Sequence, residues 1–68
     1  MEFRERLVSL RKERKETQVQ LADNIGIASR SLQDLEAGKY YPKYETLIAI
    51  ADHFQVTLDY LTGRTDQR

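Results

Sequence analysis

The sequence has no cysteine, no long hydrophobic run and no excess of charge of one sign. Without cysteine, neither a disulfide framework nor a thiolate zinc site can hold the fold together, and the chain is compatible with a reducing compartment. No apolar run approaches the roughly 20 residues of a membrane-spanning helix, and the charged first residues are unlike a secretory signal. These absences predict a cytoplasmic protein that helix packing alone must stabilise.

The charges cancel, but they are unevenly distributed. Eleven basic and eleven acidic residues argue at first against a nucleic-acid partner, because nucleic-acid-binding domains are usually basic overall. Six basic and three acidic side chains lie within residues 1–15, whereas four acidic and two basic ones follow Lys43. We expect a polarised molecule with one face able to approach phosphates. For Arg4, Arg6 and Lys12, a solvated helix face is the favoured interpretation.

Length and periodicity predict an all-α fold in one domain. A chain of 68 residues buries only about 60% of its unfolded surface, so its core must be economical. Apolar residues recur at helical spacing and almost nowhere alternate as a strand requires. We expect a compact five-helix domain over residues 1–63 and a short tail over residues 64–68. The helices are predicted at about 3–15, 17–26, 29–37, 44–53 and 58–62.

Local signals mark several helix ends. The hydroxyl of Thr17 can cap the second helix while Gln20 reaches back, as in a capping box. Gly26 can end that helix in a left-handed conformation, and Thr57 can cap the fifth. The predicted inward-facing residues are Phe3, Leu7, Leu10, Leu21, Ile25, Ile27, Leu32, Leu35, Leu47, Ile50, Ala51 and Phe54.

Residues 18–35 form the most informative segment. Apolar residues lie where two crossed helices need them, Ala22 is small where the third helix passes close to the second, and Gly26 permits a sharp turn. This combination is stricter than amphipathic spacing alone. It predicts a helix-turn-helix in the second and third helices.

Nearly the whole chain resembles the Cro/repressor-type helix-turn-helix proteins, also called the xenobiotic-response-element family. The resemblance implies a lambda-repressor-like domain that binds double-stranded DNA as a homodimer, with the third helix of each subunit in the major groove. It rests on Thr17-Gln18, Leu21-Ala22, Ile25-Gly26-Ile27, Leu35-Glu36-Ala37-Gly38-Lys39, Pro42, Glu45-Thr46-Leu47 and Val56-Thr57-Leu58-Asp59-Tyr60-Leu61.

The resemblance also implies which side chains read bases. The family's reading positions correspond to Ser29, Arg30 and Asp34, with Gln33 nearby. A guanidinium at Arg30 can donate two hydrogen bonds to guanine, worth about 1 to 3 kcal/mol of discrimination. A carboxylate at Asp34 is repelled by phosphates, but it can accept a hydrogen bond from cytosine.

Backbone-contacting residues are implied in the same way. The family's glutamine at the position of Gln18 binds phosphate at a helix N-terminus, where free N–H groups and the helix dipole favour an anion. We expect Lys39, Lys43 and at least one hydroxyl of Tyr40 or Tyr41 on phosphate. For Tyr40, Tyr41 and Tyr44, packing with the polar tip in water is an equally open interpretation.

Two further expectations concern stability. Arg11 and Glu36 match a family ion pair that joins the first helix to the end of the third. Ala28 and Lys43 stand where the family often has a capping serine or threonine. Because Lys43 places positive charge at the positive end of a helix, we hypothesise that a DNA phosphate offsets it.

No catalytic, metal or cofactor site is predicted. His53 has no partner at metal-ligand spacing, and neighbouring Asp52 points about 100° away around the helix. We expect Val56, Leu58 and Tyr60 to build a symmetric dimer interface, since one short helix cannot bury all of them in so small a core.

The predicted function is sequence-specific transcriptional regulation, and repression in particular. Two alternatives stay open: an antitoxin, and a protein-interaction adaptor that no longer binds DNA. The antitoxin would keep the DNA surface and add a toxin-binding one, and an anti-repressor is another possible small protein partner. Neutral net charge and Asp34 on the reading helix are the best support for the adaptor.

Overall fold

Residues 2–68, the part of the chain that the computed structural model describes, form five α-helices and no β-strand. Met1, the first residue of the predicted domain, lies outside the described residues. The predicted all-α, five-helix architecture is confirmed. The helices are α1 (Phe3–Glu13), α2 (Gln18–Ile25), α3 (Ser29–Glu36), α4 (Tyr44–Phe54) and α5 (Leu58–Leu61).

The start of α2 has the predicted capping box. The Thr17 hydroxyl accepts a hydrogen bond from the backbone N–H of Gln20 at 3.1 Å. In return, the Gln20 side chain accepts one from the N–H of Thr17 at 2.8 Å. At α5, Thr57 accepts from the N–H of Tyr60 at 3.0 Å, so that predicted cap is also present.

Helix α1 ends two residues earlier than predicted. Lys15 has a φ of 58°, which places its backbone in the left-handed region. A right-handed helix cannot continue through such a residue, and a lysine at this position carries no glycine-like signal in the sequence. Helix α4 ends in the same way, because Gln55 has a φ of 55°.

Two helices begin without a side-chain cap, as the sequence predicts. The N-cap residue of α3 is Ala28 and that of α4 is Lys43, and neither side chain accepts a cap hydrogen bond. The first N–H groups of both helices are therefore left without a side-chain partner at their caps.

The hydrophobic core lies between the helices. Helix α3 packs on α1 and α2, α4 packs on α2 and α5, and α5 also packs on α1. Ile27 and Leu47, which were predicted to face inward, are only partly buried against this core. The buried hydrophobic residues are Phe3, Leu7, Leu10, Leu21, Ala22, Ile25, Leu32, Leu35, Ile50, Ala51, Phe54, Tyr60 and Leu61.

Arg6 is buried, so its prediction as a solvated residue is wrong. Only 5% of Arg6 is exposed, and its guanidinium carbon lies 3.9 Å from the centre of the Tyr60 ring. Its Nη2 donates to Asp66 at 3.0 Å. Hydrogen bonding from the guanidinium of Arg6, and after it from that of Arg68, lowers the pKa of the Tyr60 phenol, because donors of positive charge stabilise the phenolate.

Residues 64–68 fold back against α1. Arg68 donates through both terminal nitrogens to the Glu13 carboxylate, at 2.7 and 2.6 Å, and its Nε donates to the Tyr60 hydroxyl at 3.3 Å. The predicted tail therefore contacts α1 and the Tyr60 side chain. Among the described residues, no helix is both long and apolar enough to cross a membrane.

Candidate nucleic-acid interface

The turn between α2 and α3 is built from Ala22, Gly26 and Ile27. Gly26 has a φ of 78°, and the N–H of Ile27 donates to the carbonyl of Ala22 at 3.0 Å. Ala22 is buried, with 1% of its surface exposed, on the helix that packs against α3, where a small side chain favours a close crossing. A Cβ added at Gly26 would meet no atom within 4 Å, so glycine is needed there for its backbone conformation and not for space.

The crossing of α2 and α3 divides α3 into an inner and an outer face. Leu32 and Leu35 are fully buried on the inner face. Arg30 and Gln33 are exposed, and Ser29 and Asp34 are partly exposed. The structure therefore places all four predicted base-reading residues at the surface.

Asp34 lies at the centre of a small ion-pair cluster. Its Oδ1 is 3.5 Å from the Nε of Arg30, one helical turn earlier, and 3.6 Å from the Nζ of Lys39 in the next loop. Both cations are mostly exposed, whereas 28% of the Asp34 side chain is exposed. The carboxylate thus links a predicted base-reading residue to a predicted phosphate-binding residue.

Gln18 lies at the first turn of α2, beside the end of α3. Its Nε2 donates to Glu36 Oε1 at 2.9 Å. The same carboxylate accepts two hydrogen bonds from Arg11, at 2.7 and 3.0 Å, and both charged side chains are mostly buried. Arg11 also donates to the carbonyl of Glu16 at 2.9 Å. This arrangement fixes the start of α2 relative to the end of α3.

The loop between α3 and α4 presents basic and aromatic side chains. Lys39, Tyr40, Tyr41 and Lys43 are exposed, and Pro42 is buried. The Tyr40 hydroxyl donates to the carbonyl of Ser31 at 3.2 Å, and the Tyr41 ring centre lies 5.3 Å from that of Phe3. Each tyrosine therefore packs within the domain and still presents surface to the solvent.

A family model described as Helix-turn-helix (HTH_3) matches residues 7–61. The chain belongs to this helix-turn-helix family. The predicted resemblance to Cro/repressor-type proteins is confirmed, and the family is one of transcription regulators, not enzymes.

Similar proteins include phage repressors and bacterial regulators. The chain is 42% identical over 64 residues to the cryptic phage CTXphi transcriptional repressor RstR of Vibrio cholerae, covering 94% of this chain and 57% of that protein. It is 37% identical over 59 residues to the immunity repressor of Bacillus phage phi105, covering 87% of this chain and 41% of that protein. This chain thus spans about half the length of these two relatives.

Solved structures share the fold. The P22 c2 repressor, crystallised with a synthetic operator, superposes with a TM-score of 0.84 at 28% identity over 90% of this chain and 92% of that chain. A transcriptional regulator from Listeria innocua superposes with a TM-score of 0.88 at 28% identity over 98% of this chain and 63% of that chain.

The predicted dimer interface needs one correction. Tyr60 is only 7% exposed because its ring packs in the core beside Arg6, so it offers almost no surface to a second subunit. Val56 and Leu58 are partly buried and keep some exposed surface. Within this helix-turn-helix domain, the predicted interface is reduced to these two residues.

The structure also contains a contact that the sequence analysis missed. His53 Nε2 lies 2.8 and 3.0 Å from the two carboxylate oxygens of Glu16, and Asn24 donates to the same carboxylate at 3.2 Å. These contacts tie the loop between α1 and α2 to α4. Across residues 2–68, no group of three or more histidine, aspartate or glutamate side chains is placed to hold a metal ion.

Proposed function

We propose that this helix-turn-helix domain binds a preferred double-stranded DNA sequence as a homodimer and represses transcription by occupying a palindromic operator. The observation that carries the proposal is the outer face of α3, where Arg30 and Gln33 are exposed on a helix fixed by its buried face. An α-helix of this kind fits the major groove, where base edges can be read.

Arg30 is the proposed guanine-reading residue. With 77% of its side chain exposed, it can extend from α3 and donate two hydrogen bonds to guanine O6 and N7. Ser29 and Gln33 flank it on the same face of α3. The operator-bound state of the P22 c2 repressor, which has the same fold, supports this docking mode.

Phosphate binding is proposed at the two helix N-termini and the loop that border α3. Gln18 is the first residue of α2, and Lys43 is the N-cap of α4, where no side-chain cap satisfies the N–H groups. A phosphate at either position would accept hydrogen bonds from free N–H groups and interact favourably with the helix dipole. Lys39 and the hydroxyls of Tyr40 and Tyr41 extend this surface along the loop.

Dimerisation is proposed through the loop between α4 and α5 together with α5. Val56 and Leu58 are apolar residues that the core covers only partly. Burying them against a symmetric copy would remove apolar surface from water. A two-fold dimer would then present its two α3 helices to half-sites about one DNA turn apart.

The test is selection of bound duplexes from random DNA, followed by affinity measurements at several salt concentrations. The wild-type chain should select a palindromic sequence, and its affinity should fall steeply with salt. Arg30→Ala should relax the preference at one base position, whereas Lys39→Ala should lower affinity for all sequences alike. Recovery of no preferred sequence by the wild-type chain would refute the proposal.

The variant Leu58→Glu tests whether the chain forms the proposed dimer. Sedimentation with and without operator should show the wild-type chain as a dimer on DNA and the variant shifted towards monomer, because the new charge resists burial in an apolar interface. A wild-type chain that stays monomeric on DNA at high concentration would contradict the dimer.

A further inference from the structure

We infer that Asp34 is a positioning residue for DNA specificity, and not a base reader: it acts as an internal counter-ion that holds Arg30 and competes with DNA phosphates for both Arg30 and Lys39. This inference rests on the proposed DNA binding. It concerns how the surface distinguishes its preferred sequence from other DNA.

The geometry of the Arg30 contact leaves the reading atoms available. The closest contact between Asp34 and Arg30 is at Nε, at 3.5 Å, one bond before the carbon that carries the two terminal nitrogens. Those terminal nitrogens form the end of the guanidinium that can donate two hydrogen bonds to guanine. A contact at Nε can therefore restrain the arginine side chain while the terminal nitrogens donate to a base.

The second contact joins α3 to the loop that follows it. Lys39 Nζ lies 3.6 Å from the same oxygen, Oδ1, that faces Arg30. One carboxylate between two cations reduces the charge that this part of the surface offers to a phosphate. Since phosphate attraction supplies essentially all of non-specific binding, the carboxylate lowers affinity for DNA of any sequence.

DNA of the preferred sequence compensates for this competition through base contacts with Arg30, whereas other DNA does not. On its preferred sequence, Arg30 gains two directed hydrogen bonds to guanine while it keeps the contact with Asp34 through Nε. On other DNA, Arg30 has no guanine to bind, and the carboxylate competes with phosphates for its positive charge. Asp34 therefore penalises non-specific complexes more than the specific one, which raises the ratio of specific to non-specific affinity.

The arrangement also accounts for a carboxylate on a helix that faces DNA. An unpaired aspartate at this position would be repelled by phosphates. Here two cations lie within 4 Å of it, so the cluster as a whole carries one positive charge.

The test compares affinities for the selected duplex and for an unrelated duplex across a range of salt concentrations. Asp34→Asn should increase affinity for the unrelated duplex severalfold and lower the ratio of specific to non-specific affinity by a similar severalfold factor, the range that a largely exposed ion pair can contribute. If the freed cations gain one phosphate, the slope of log affinity against log salt should steepen by about 0.9.

Asp52→Asn is the matched control for charge. Asp52 is exposed on α4, which packs on α2 and α5, and its replacement removes the same formal charge away from α3. This control should leave the ratio of specific to non-specific affinity unchanged. Asp34→Glu, which keeps a carboxylate within reach of Arg30, should retain most of the wild-type ratio.

A double-mutant cycle separates positioning from direct reading. If Asp34 acts through Arg30, then Asp34→Asn should have little effect on the ratio in an Arg30→Ala background. If Asp34→Asn instead removes the preference at a single base pair and leaves non-specific affinity unchanged, Asp34 reads a base and the inference is wrong. An unchanged ratio would also overturn it, whereas failure of the wild-type chain to prefer any duplex would refute the proposed function itself.

Discussion

Removal of Arg11 should destabilise the domain far more than removal of a surface arginine. Arg11 makes two hydrogen bonds to Glu36, at 2.7 and 3.0 Å, and only 13% and 7% of the two side chains are exposed. Arg11→Met keeps an apolar stem in the same space, but it leaves the Glu36 carboxylate buried without its cation. Removing one partner of a buried ion pair costs about 3 to 5 kcal/mol.

This loss is large for so small a domain. At about 0.05 to 0.15 kcal/mol per residue, 68 residues have a free energy of unfolding of about 3 to 10 kcal/mol. Arg11→Met should therefore remove about 30% of the free energy of unfolding or more. Gln18 donates to the same carboxylate at 2.9 Å, so the start of α2 should also lose order.

Urea denaturation followed by helical circular dichroism measures the effect. The matched control is Arg64→Met, because Arg64 pairs with Asp59 at 3.8 Å with 79% and 66% of the side chains exposed. An exposed pair of this kind contributes at most about 1 kcal/mol. The double variant Arg11→Met with Glu36→Leu should recover much of the loss, since it removes both buried charges. A single-variant loss below about 1 kcal/mol, equal to the control, would refute the argument.

Three further predictions concern helix ends and pH. Gly26→Ala should lower the free energy of unfolding by about 1 to 2 kcal/mol, as measured by thermal unfolding. The new Cβ would meet no atom within 4 Å, but a φ of 78° strains the backbone of an alanine. Lys43→Ser should raise the free energy of unfolding by about 0.5 to 2 kcal/mol, because serine supplies a cap to α4. The same variant should weaken DNA affinity and reduce its salt dependence, and unchanged values of both would contradict the phosphate role. Arg68 holds the pKa of the Glu13 carboxyl below its ordinary value of 4.5. The pair therefore stabilises the fold above pH 4.5, and this stabilisation is lost as the pH falls through the lowered pKa. In urea titrations between about pH 7 and pH 3, Glu13→Gln should lose less stability than wild type.

Features with local sequence signals could be predicted. The capping box of Thr17 and Gln20 spans only three residues, and Gly26 is the residue type that a left-handed helix end favours. Ala22 marks the crossing because it is a small residue, only 1% exposed, on the helix that packs against α3. These signals locate the helix-turn-helix and therefore the face of α3 that meets the solvent.

Features that depend on distant parts of the chain could not be predicted. Arg6 has the pattern of a solvated helix residue, and only the return of Asp66 and the packing of Tyr60 bury it. The contact between His53 and Glu16 joins residues 37 positions apart, a separation with no periodic signature. Their pairing is decided by tertiary packing, so no local pattern records it.

The ion pairs of the candidate site also differ in whether a local sequence signal could predict them. The spacing between Arg30 and Asp34 permits an ion pair on one helix face, but the approach of Lys39 to the same oxygen depends on how the loop after α3 turns. The left-handed Lys15 was likewise hidden, because only its backbone conformation, and not its residue type, ends α1. Sequence therefore locates the surface, whereas the links between its charges come from the fold.

The proposed function requires the outer face of α3 to enter a duplex. Amide chemical-shift mapping of the ¹⁵N-labelled chain, titrated with its selected duplex, tests it most directly. The largest changes should fall at the start of α2, along residues 29–34 and in the loop at residues 39–43, while α1 and residues 64–68 should change little. Changes concentrated on α1 and residues 64–68, with residues 29–34 unaffected, would contradict it.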